Sequence, residues 1–275
     1  MEIKNSLKLN IVVIVKLPQL IFLTKVILMK LTLKDNKILK DCFNSISTII
    51  DEAVLEFSAD GLKISAIDSK KIIFIEMKLK TDLFDEYECD DAEEIPIDTV
   101  IFNDILKHCN STDTLQLESN CKLKIIFKGK ITREFKMTLS YPKDENPKCP
   151  VKKLPIKLTI PTKVLKDSIK DIAAYSDKIQ FIVNPTSLLL IGKNEKVKVK
   201  NRFKHGSDVN SIYRSMYSIE YVSNILKSSN LNENCILSLG NNTNIEFTFF
   251  IGKSSYIRYV LAPRLREEDI SNFRY

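Results

Sequence analysis

The apolar and polar positions of the chain repeat one pattern four times. In each repeat, apolar residues first recur at helical spacing and then fall into three short runs with strand character. The four helices are predicted at residues 36–50, 98–109, 161–174 and 219–228. Their centres lie about 60 residues apart, which is a repeat signal longer than a solenoid unit. The pattern therefore predicts an α+β chain built from four related units.

Three strands separated by turns are predicted after each helix. Their ranges are 53–57, 62–67, 72–79, 114–118, 123–127, 132–139, 179–183, 187–191, 196–203, 235–239, 245–250 and 256–261. Gly61, Gly129, Gly192 and Gly252 lie between paired strands, and Gly240 marks a further turn. Because no G-x-G-x-x-G or Walker pattern is present, we interpret the glycines as hairpin turns and not as a phosphate-binding loop.

A segment without apolar periodicity separates the second repeat from the third. Residues 140–154 contain three prolines and four lysines, which favours an extended connector. The sequence therefore predicts two similar domains, at 30–139 and 155–266, each built from two repeats. Residues 1–29 are then an N-terminal extension and residues 267–275 a C-terminal tail.

The N-terminal extension is apolar enough to raise the question of a membrane segment. Lys16, Pro18 and Lys25 interrupt residues 7–29, so no stretch reaches the roughly 18 uncharged residues that a spanning helix needs. The stretch also lacks the small-residue cleavage site of a signal peptide. We interpret Met29 as a candidate natural start, with the residues before it as translated upstream sequence, because the regular pattern begins directly after it.

The composition narrows the possible functions. The 275 residues include 42 Lys and Arg and 35 Asp and Glu, which gives a net charge of +7. This charge alone is weak support for a nucleic-acid partner, because it does not show where on the protein the lysines lie. The hydrophobic fraction of 44% excludes a wholly disordered chain. None of the six cysteines forms a C-x-x-C pair, so we expect no metal or cofactor and predict reduced thiols in an intracellular compartment.

No catalytic constellation is visible in the sequence. Asp60 with Asp68, or Glu93 with Glu94, are possible acid–base pairs, but no partner nucleophile or base accompanies them. Turn and surface roles are the better interpretation of these carboxylates. We therefore predict that the protein is not an enzyme.

Three stretches resemble the sliding DNA clamp family, PCNA, with the archaeal members as the nearer match. They are IDEAVLEFSADGLKISAIDSKKI at residues 50–72, Ile-Leu-Lys at 105–107, and Tyr-Val-Leu-Ala-Pro-Arg-Leu at 259–265. The order of the repeats and the position of the connector agree with this family. The resemblance covers roughly residues 30–266, and its middle part, in the third repeat, is weak.

The resemblance implies a DNA clamp fold that assembles into a trimeric ring around double-stranded DNA. Helices would line the hole, and sheets would form the outer surface and join neighbouring subunits. Such a ring acts as a DNA polymerase processivity factor and as a binding platform for replication and repair enzymes. The implied partners are DNA polymerase, flap endonuclease, DNA ligase and the clamp loader, which bind through short motifs. The ring would be a homotrimer or a heterotrimer and would be intracellular, in the cytoplasm or nucleoid if the protein is archaeal.

The predicted DNA contacts are lysines on the four helices. A collar that slides needs dispersed phosphate contacts that do not read the base sequence. Against the family pattern, Lys40, Lys107, Lys170 and Lys227 match basic residues that face the hole, and Lys166 is a neighbour by helical spacing. The alternative is that these lysines only solvate the polar face of each helix. Intervening acidic residues, such as Asp104, make the lining less positive than in some clamps.

The resemblance also implies a groove for partner motifs beside the connector. Apolar anchors in such a groove carry most of the binding energy of a short peptide. The matching residues are Ile67, Lys71, Ile72, Phe74, Val151, Leu154, Leu261, Ala262, Pro263 and Arg264. The alternative for Ile67 and Phe74 is an ordinary role in the strand core. Two features depart from the family: the connector is rich in Lys and Pro, and Asn244 stands where many members have proline.

Two edge strands are predicted to join neighbouring subunits. The Lys–Val alternation at 196–200 suits a sheet edge, and the family pairs such a strand with the last strand before the connector. The predicted interface residues are Thr132, Arg133, Phe135, Lys196, Val197, Lys198 and Val199. Lysines on an edge also protect it from pairing, and the sequence does not separate these two roles.

Two other functions are alternatives to the sliding clamp. A checkpoint-type clamp in the DNA damage response shares the fold, but the match at residues 50–72 and the Leu-Ala-Pro-Arg segment argue against it. A nucleic-acid-acting enzyme needs clustered carboxylates or a nucleophile with its base, and neither is visible.

Overall fold

The computed structural model describes residues 29–119, 122–139, 147–150 and 153–264. These residues form four successive β-α-β-β-β units. The first two units contain β1 (Met29–Leu33), α1 (Lys37–Ile46), β2 (Glu52–Ser58), β3 (Gly61–Ile67), β4 (Ile73–Lys80), the additional β5 (Glu86–Cys89), β6 (Glu93–Asp98), α2 (Thr99–Lys107), β7 (Thr114–Ser119), β8 (Leu123–Lys128) and β9 (Thr132–Met137). A short 3-10 turn, Thr81–Leu83, follows β4.

The third and fourth units repeat this order in the C-terminal half. They contain β10 (Ile156–Pro161), α3 (Thr162–Ala173), β11 (Lys178–Asn184), β12 (Ser187–Lys193), β13 (Lys198–Lys204), β14 (Tyr213–Ser218), α4 (Ile219–Ile225), β15 (Asn234–Leu239), β16 (Ile245–Ile251) and β17 (Ser255–Leu261). A 3-10 turn, Leu226–Asn230, continues α4. The α+β fold class and the four-fold repeat are thus confirmed.

The sequence pattern missed the strand that precedes each helix. These strands are β1, β6, β10 and β14, and β5 was missed as well. β6 begins with two glutamates and contains Pro96, and β14 is largely polar, so neither shows a clear alternation of apolar residues. The first helix is also shorter than predicted, because it ends at Ile46 and not near Ile50.

Strands before the helices are exchanged between neighbouring units. β1 pairs with β7 of the second unit, and β6 pairs with β2 of the first. In the same way β10 pairs with β15, and β14 pairs with β11. Each half of the chain is therefore interlocked, since neither of its two units completes a sheet alone.

Three antiparallel sheets result from this exchange. Their strand orders are β5-β1-β7-β8-β9, β10-β15-β16-β17-β4-β3-β2-β6 and β13-β12-β11-β14. The eight-stranded sheet crosses the junction between the halves, because β17 pairs with β4 from Tyr256 opposite Lys78 to Leu261 opposite Ile73. β9 and β13 are left as outer edge strands of the other two sheets.

The four helices pack next to one another and form one continuous layer. α1 contacts α2 and the 3-10 turn Leu226–Asn230, and that turn also contacts α3 and α4. The rings of Phe43 and Phe102 join α1 to α2, with centroids 4.6 Å apart. The Asp98 side chain caps α2, since it accepts a hydrogen bond from the Ile101 amide at 2.8 Å. We call α1 to α4 with this 3-10 turn the helix layer.

Two findings bear on the compositional predictions. The five cysteines in the described ranges are free, and Cys42, Cys109 and Cys235 are buried. Within those ranges no helix is long and apolar enough to span a membrane. Nearly all of the apolar stretch at 7–29 lies outside the described residues.

Candidate nucleic-acid interface and partner groove

The helix layer presents more lysines than acidic residues to its surface. Its lysines are Lys37, Lys40, Lys107, Lys163, Lys166, Lys170 and Lys227, and its acidic residues are Asp41, Asp104, Asp167, Asp171 and Glu220. The layer is therefore weakly positive, as the sequence suggests. Such a surface attracts phosphates through many small contacts and not through one strong site.

The five predicted DNA-binding lysines lie in this layer but differ in their surroundings. Lys170 is exposed, and its ammonium has no partner among the described residues. Lys166 Nζ donates to Ser229 Oγ at 2.9 Å, and Lys107 Nζ lies 2.7 Å from Asp104 Oδ1 with both side chains 61% exposed. An exposed pair of that kind contributes little to stability, so Lys107 stays available to an anion.

Lys40 has a structural contact that the sequence did not indicate. Its Nζ donates to the carbonyl oxygen of Cys109 at 2.7 Å, just beyond the end of α2. A cation at that end of a helix satisfies an unpaired carbonyl and interacts favourably with the helix dipole. Both Lys40 and Lys227 are half-buried, and they are thus less accessible than the other three.

Two apolar residues at the start of α2 lie at the surface. Val100 and Ile101 are 42% and 52% exposed. The buried residues of this helix are Thr99, Phe102, Asn103 and Leu106. The N-terminal turn of α2 therefore adds two apolar residues to the surface of the helix layer, and Val164 of α3 adds a third at 49% exposed.

A cavity of about 300 Å³ lies between the connector and the outer face of the eight-stranded sheet. Its walls are formed by Cys149, Pro150, Leu154, Asn242, Thr243, Asn244, Glu246, Arg258, Val260 and Pro263. We call it the connector pocket. Leu154 and Pro263 were predicted for the partner groove, and Asn244 is the residue that stands where many members of the family have proline. The pocket can hold an apolar side chain, since its walls combine aliphatic groups with a polar border.

The remaining predicted groove residues adjoin the pocket or lie elsewhere. Ile67, Phe74 and Val260 stand opposite one another on three neighbouring strands and so share the outer face. The Ala262 amide donates to the Ile72 carbonyl at 2.9 Å. Lys71 and Arg264 are exposed, and Arg264 forms an ion pair with Asp177 at 2.9 Å. Val151 lies outside the described residues.

Leu261 was wrongly assigned to the groove. It is fully buried and stands opposite Ile73 on the core side of the sheet. Side chains alternate along a strand, so Val260 faces the pocket when Leu261 faces the core. Tyr259 and Leu261 both face the core, and Val260 lies between them on the strand. The alternation of side chains along the strand therefore identifies Val260 as the residue that faces the pocket.

Arg258 fastens the connector to the sheet. Its guanidinium pairs with Glu76 and lies 3.9 Å from a Glu246 carboxylate oxygen. The same group donates to Cys149 Sγ at 3.4 Å. Burial raises the pKa of the Cys149 thiol, which keeps it protonated near neutral pH. No local pattern indicates this contact, because the two residues are far apart along the chain.

The predicted interface residues divide between the two faces of the edge strands. On β9, Arg133 forms an ion pair with Asp113 and donates to the His108 carbonyl at 2.8 Å, and Phe135 packs on Phe127 at 5.3 Å between centroids. Thr132 is exposed. A cavity of about 380 Å³ opens beside Arg133, and Ile131 on its wall is 74% exposed.

The opposite edge begins later than predicted. Lys196 and Val197 precede β13 in a turn, where both backbone amides donate to Asn194 Oδ1 at 2.9 and 2.7 Å. Lys198 is exposed on β13, and Val199 packs against the core. Five of the seven predicted interface residues thus lie on the edge strands β9 and β13, while Lys196 and Val197 do not belong to a strand.

Comparison with known proteins identifies the class to which this fold belongs. The family model for the N-terminal domain of proliferating cell nuclear antigen matches residues 28–138. A PCNA from Thermococcus kodakaraensis superposes with a TM-score of 0.80 at 21% identity, over 86% of this chain and 100% of that one. A PCNA2-PCNA3 complex from Sulfolobus tokodaii gives the same score at 23% identity, over 86% and 99%. These likenesses confirm the DNA clamp fold.

Closer relatives in sequence define the family. The DNA polymerase sliding clamp of Methanothermobacter thermautotrophicus is 33% identical over 242 residues, which are 87% of this chain and 99% of the relative. That of Methanobrevibacter smithii is 31% identical over the same shares of both chains. The chain therefore belongs to the DNA polymerase sliding clamp family.

Proposed function

We propose that this chain is one subunit of a ring that encircles duplex DNA and acts as a DNA polymerase processivity factor. The observation that carries the proposal is the match over 99% of the length of a curated sliding clamp at 33% identity. The continuous, weakly positive helix layer agrees with a lining that tracks phosphates without reading sequence. The work of such a ring is topological, so we propose no catalytic role.

We further propose the subunit arrangement of this ring. Residues 30–139 and 155–266 form its two domains, and residues 140–154 connect them. The free edges of β9 and β13 pair between neighbouring subunits and so extend each outer sheet across the boundary. Three subunits close the ring, as a homotrimer or with related subunits.

The connector pocket is proposed as the site for short partner motifs. Its aliphatic residues Leu154, Val260 and Pro263 would hold an apolar anchor, and its polar border would bind the flanking backbone. DNA polymerase, flap endonuclease, DNA ligase and the clamp loader are the proposed partners. A protein with this function is located inside the cell, together with the DNA.

Primer extension on a singly primed circular DNA tests the proposed function. The polymerase, the clamp loader and ATP are held constant, and the products are compared with and without this protein. We expect longer products per binding event when the protein is present, and no gain on this template when the loader is omitted. Products of equal length under all conditions would refute the proposal. Light scattering on the same preparation distinguishes a self-sufficient trimer from a subunit that needs related chains.

A further inference from the structure

The loop between β3 and β4 is held by one carboxylate. Asp68 Oδ1 accepts hydrogen bonds from the amides of Ile72 and Ile73 at 2.6 and 2.8 Å. The Lys71 amide closes the turn by donating to the Asp68 carbonyl at 2.8 Å. The side chain of Asp68 is buried, with the residue only 5% exposed. A buried carboxylate requires such donors, so the conformation of the loop depends on it.

The second oxygen of Asp68 is bound from the other half of the chain. The Tyr221 hydroxyl, on α4, donates to Asp68 Oδ2 at 2.8 Å across 153 residues of sequence. Burial, and after it the neighbouring Asp68, raises the pKa of Tyr221 to about 12, so the phenol keeps the proton that it donates. A carboxylate that served only to cap its own turn would not need this partner.

The loop that Asp68 holds carries groove residues. Lys71 has a φ of 56°, a left-handed conformation that a residue with a Cβ adopts only when its surroundings enforce it. The next carbonyl, of Ile72, accepts the hydrogen bond from Ala262, directly before the Pro263 that lines the connector pocket. Asp68 thus fixes the backbone to which one wall of the pocket is attached.

We propose that Asp68 and Tyr221 are positioning residues of the partner groove, through which α4 of the helix layer holds the loop 68–73 in its binding conformation. The inference rests on the proposed function of the connector pocket. It assigns to the helix layer a second task besides contact with DNA, because the same α4 that continues into the turn with Lys227 also supports the outer groove.

The test compares Tyr221→Phe, Asp68→Ala and Asp68→Asn with the unchanged protein. The matched control is Tyr87→Phe, which removes a hydroxyl that donates to the Ser58 carbonyl at 2.7 Å, at the other end of β3. The hydrogen-exchange rates of the Ile72 and Ile73 amides measure how firmly Asp68 holds the loop. Binding at the partner groove is measured as the affinity for a fluorescein-labelled peptide. This peptide carries the clamp-binding motif of an archaeal flap endonuclease.

We expect Tyr221→Phe to weaken peptide affinity by about threefold to tenfold and to speed exchange at both amides, because the carboxylate loses its fixed orientation. Asp68→Ala should have the larger effect on both readouts. Asp68→Asn should recover much of the loss, since its amide oxygen still accepts from the loop and its NH₂ group can donate to the Tyr221 oxygen. Tyr87→Phe should change neither readout.

The inference and the proposed function fail in different ways. If the unchanged protein does not bind the peptide, the proposed groove is wrong, and the exchange data still decide whether the pair holds the loop. If the unchanged protein binds but Tyr221→Phe alters neither exchange nor affinity, the pair does not position the groove. A loss of thermal stability in Tyr221→Phe without any change in affinity would likewise overturn the inference, because the pair would then be only structural.

Discussion

The hydroxyl of Tyr259 lies 2.8 Å from the Oγ of Ser45, although 214 residues separate them. Ser228 Oγ lies 2.5 Å from the same hydroxyl, and Ser45 Oγ donates onward to the Asn224 carbonyl at 3.1 Å. All three hydroxyl-bearing residues are fully buried. This chain of hydrogen bonds connects α1 of the first half to β17 and the helix layer of the second, behind the pairing of β17 with β4.

Replacing Tyr259 with Phe tests this junction. The change keeps the ring in the core but leaves Ser45 and Ser228 without their shared partner, so we expect a loss of about 1–3 kcal/mol in the free energy of unfolding. Urea denaturation followed by circular dichroism measures it. Tyr175→Phe is the control, because Tyr175 is 47% exposed and its removal should cost almost nothing. Equal stabilities of the two variants would contradict the prediction.

The β2–β3 hairpin depends on a glycine at its turn. Gly61 has a φ of 120°, and a Cβ at this position would stand 2.1 Å from the Leu79 carbonyl oxygen. We therefore expect Gly61→Ala to destabilise the protein by more than about 1 kcal/mol, since the backbone must shift to admit the methyl group. Gly206→Ala is the matched control, because no atom lies within 4 Å of its added Cβ. Thermal unfolding of both variants checks the difference.

Lysines of the helix layer should determine the salt dependence of the loaded ring. In a variant with Lys107, Lys166 and Lys170 all replaced by Glu, we expect processivity to fall and its dependence on salt to flatten. Each lost phosphate contact reduces the slope of log affinity against log salt by about 1. Lys40 is left unchanged in this test because it also supports the end of α2.

A charge-matched control separates contact from net charge. Lys157, Lys178 and Lys253 are exposed and lie outside the helix layer. Replacing these three with Glu lowers the net charge by the same amount. Primer extension at several potassium chloride concentrations compares the two variants. A similar loss in both would show that the helix layer has no special role.

The connector pocket should bind partner motifs mainly through its apolar wall. Leu154→Asp places a carboxylate beside Val260 and Pro263, and we expect peptide affinity to fall at least about tenfold, as for loss of a central anchor. Lys153→Asp introduces the same group at the neighbouring exposed position and should have a small effect. Fluorescence anisotropy with the labelled peptide measures both. An unchanged affinity in Leu154→Asp would place the binding site elsewhere.

The sequence predicted the amphipathic helices and most of the hairpins correctly, because each depends on neighbours within a few residues. It missed β6 and β14, which show no clear alternation of apolar residues and which pair with the distant strands β2 and β11. It also assigned Leu261 to the groove, where strand parity favours Val260. Among the site residues, four helix lysines were predicted from the family resemblance and Lys166 from helical spacing. The contacts of Lys40 with Cys109 and of Arg258 with Cys149 join distant parts of the chain, so neither could be predicted in this way.

The sequence by itself determined the four repeats, the likeness to sliding clamps and the placement of lysines on the helices, since periodicity and local motifs are written in consecutive residues. Only the tertiary structure decided which strands exchange between repeats, which lysines are engaged by the protein itself, and that Tyr221 of the helix layer donates to Asp68. These features depend on distances between residues far apart in the chain. Buried polar groups form hydrogen bonds with distant residues when the chain packs, and local sequence patterns do not predict which residues these are.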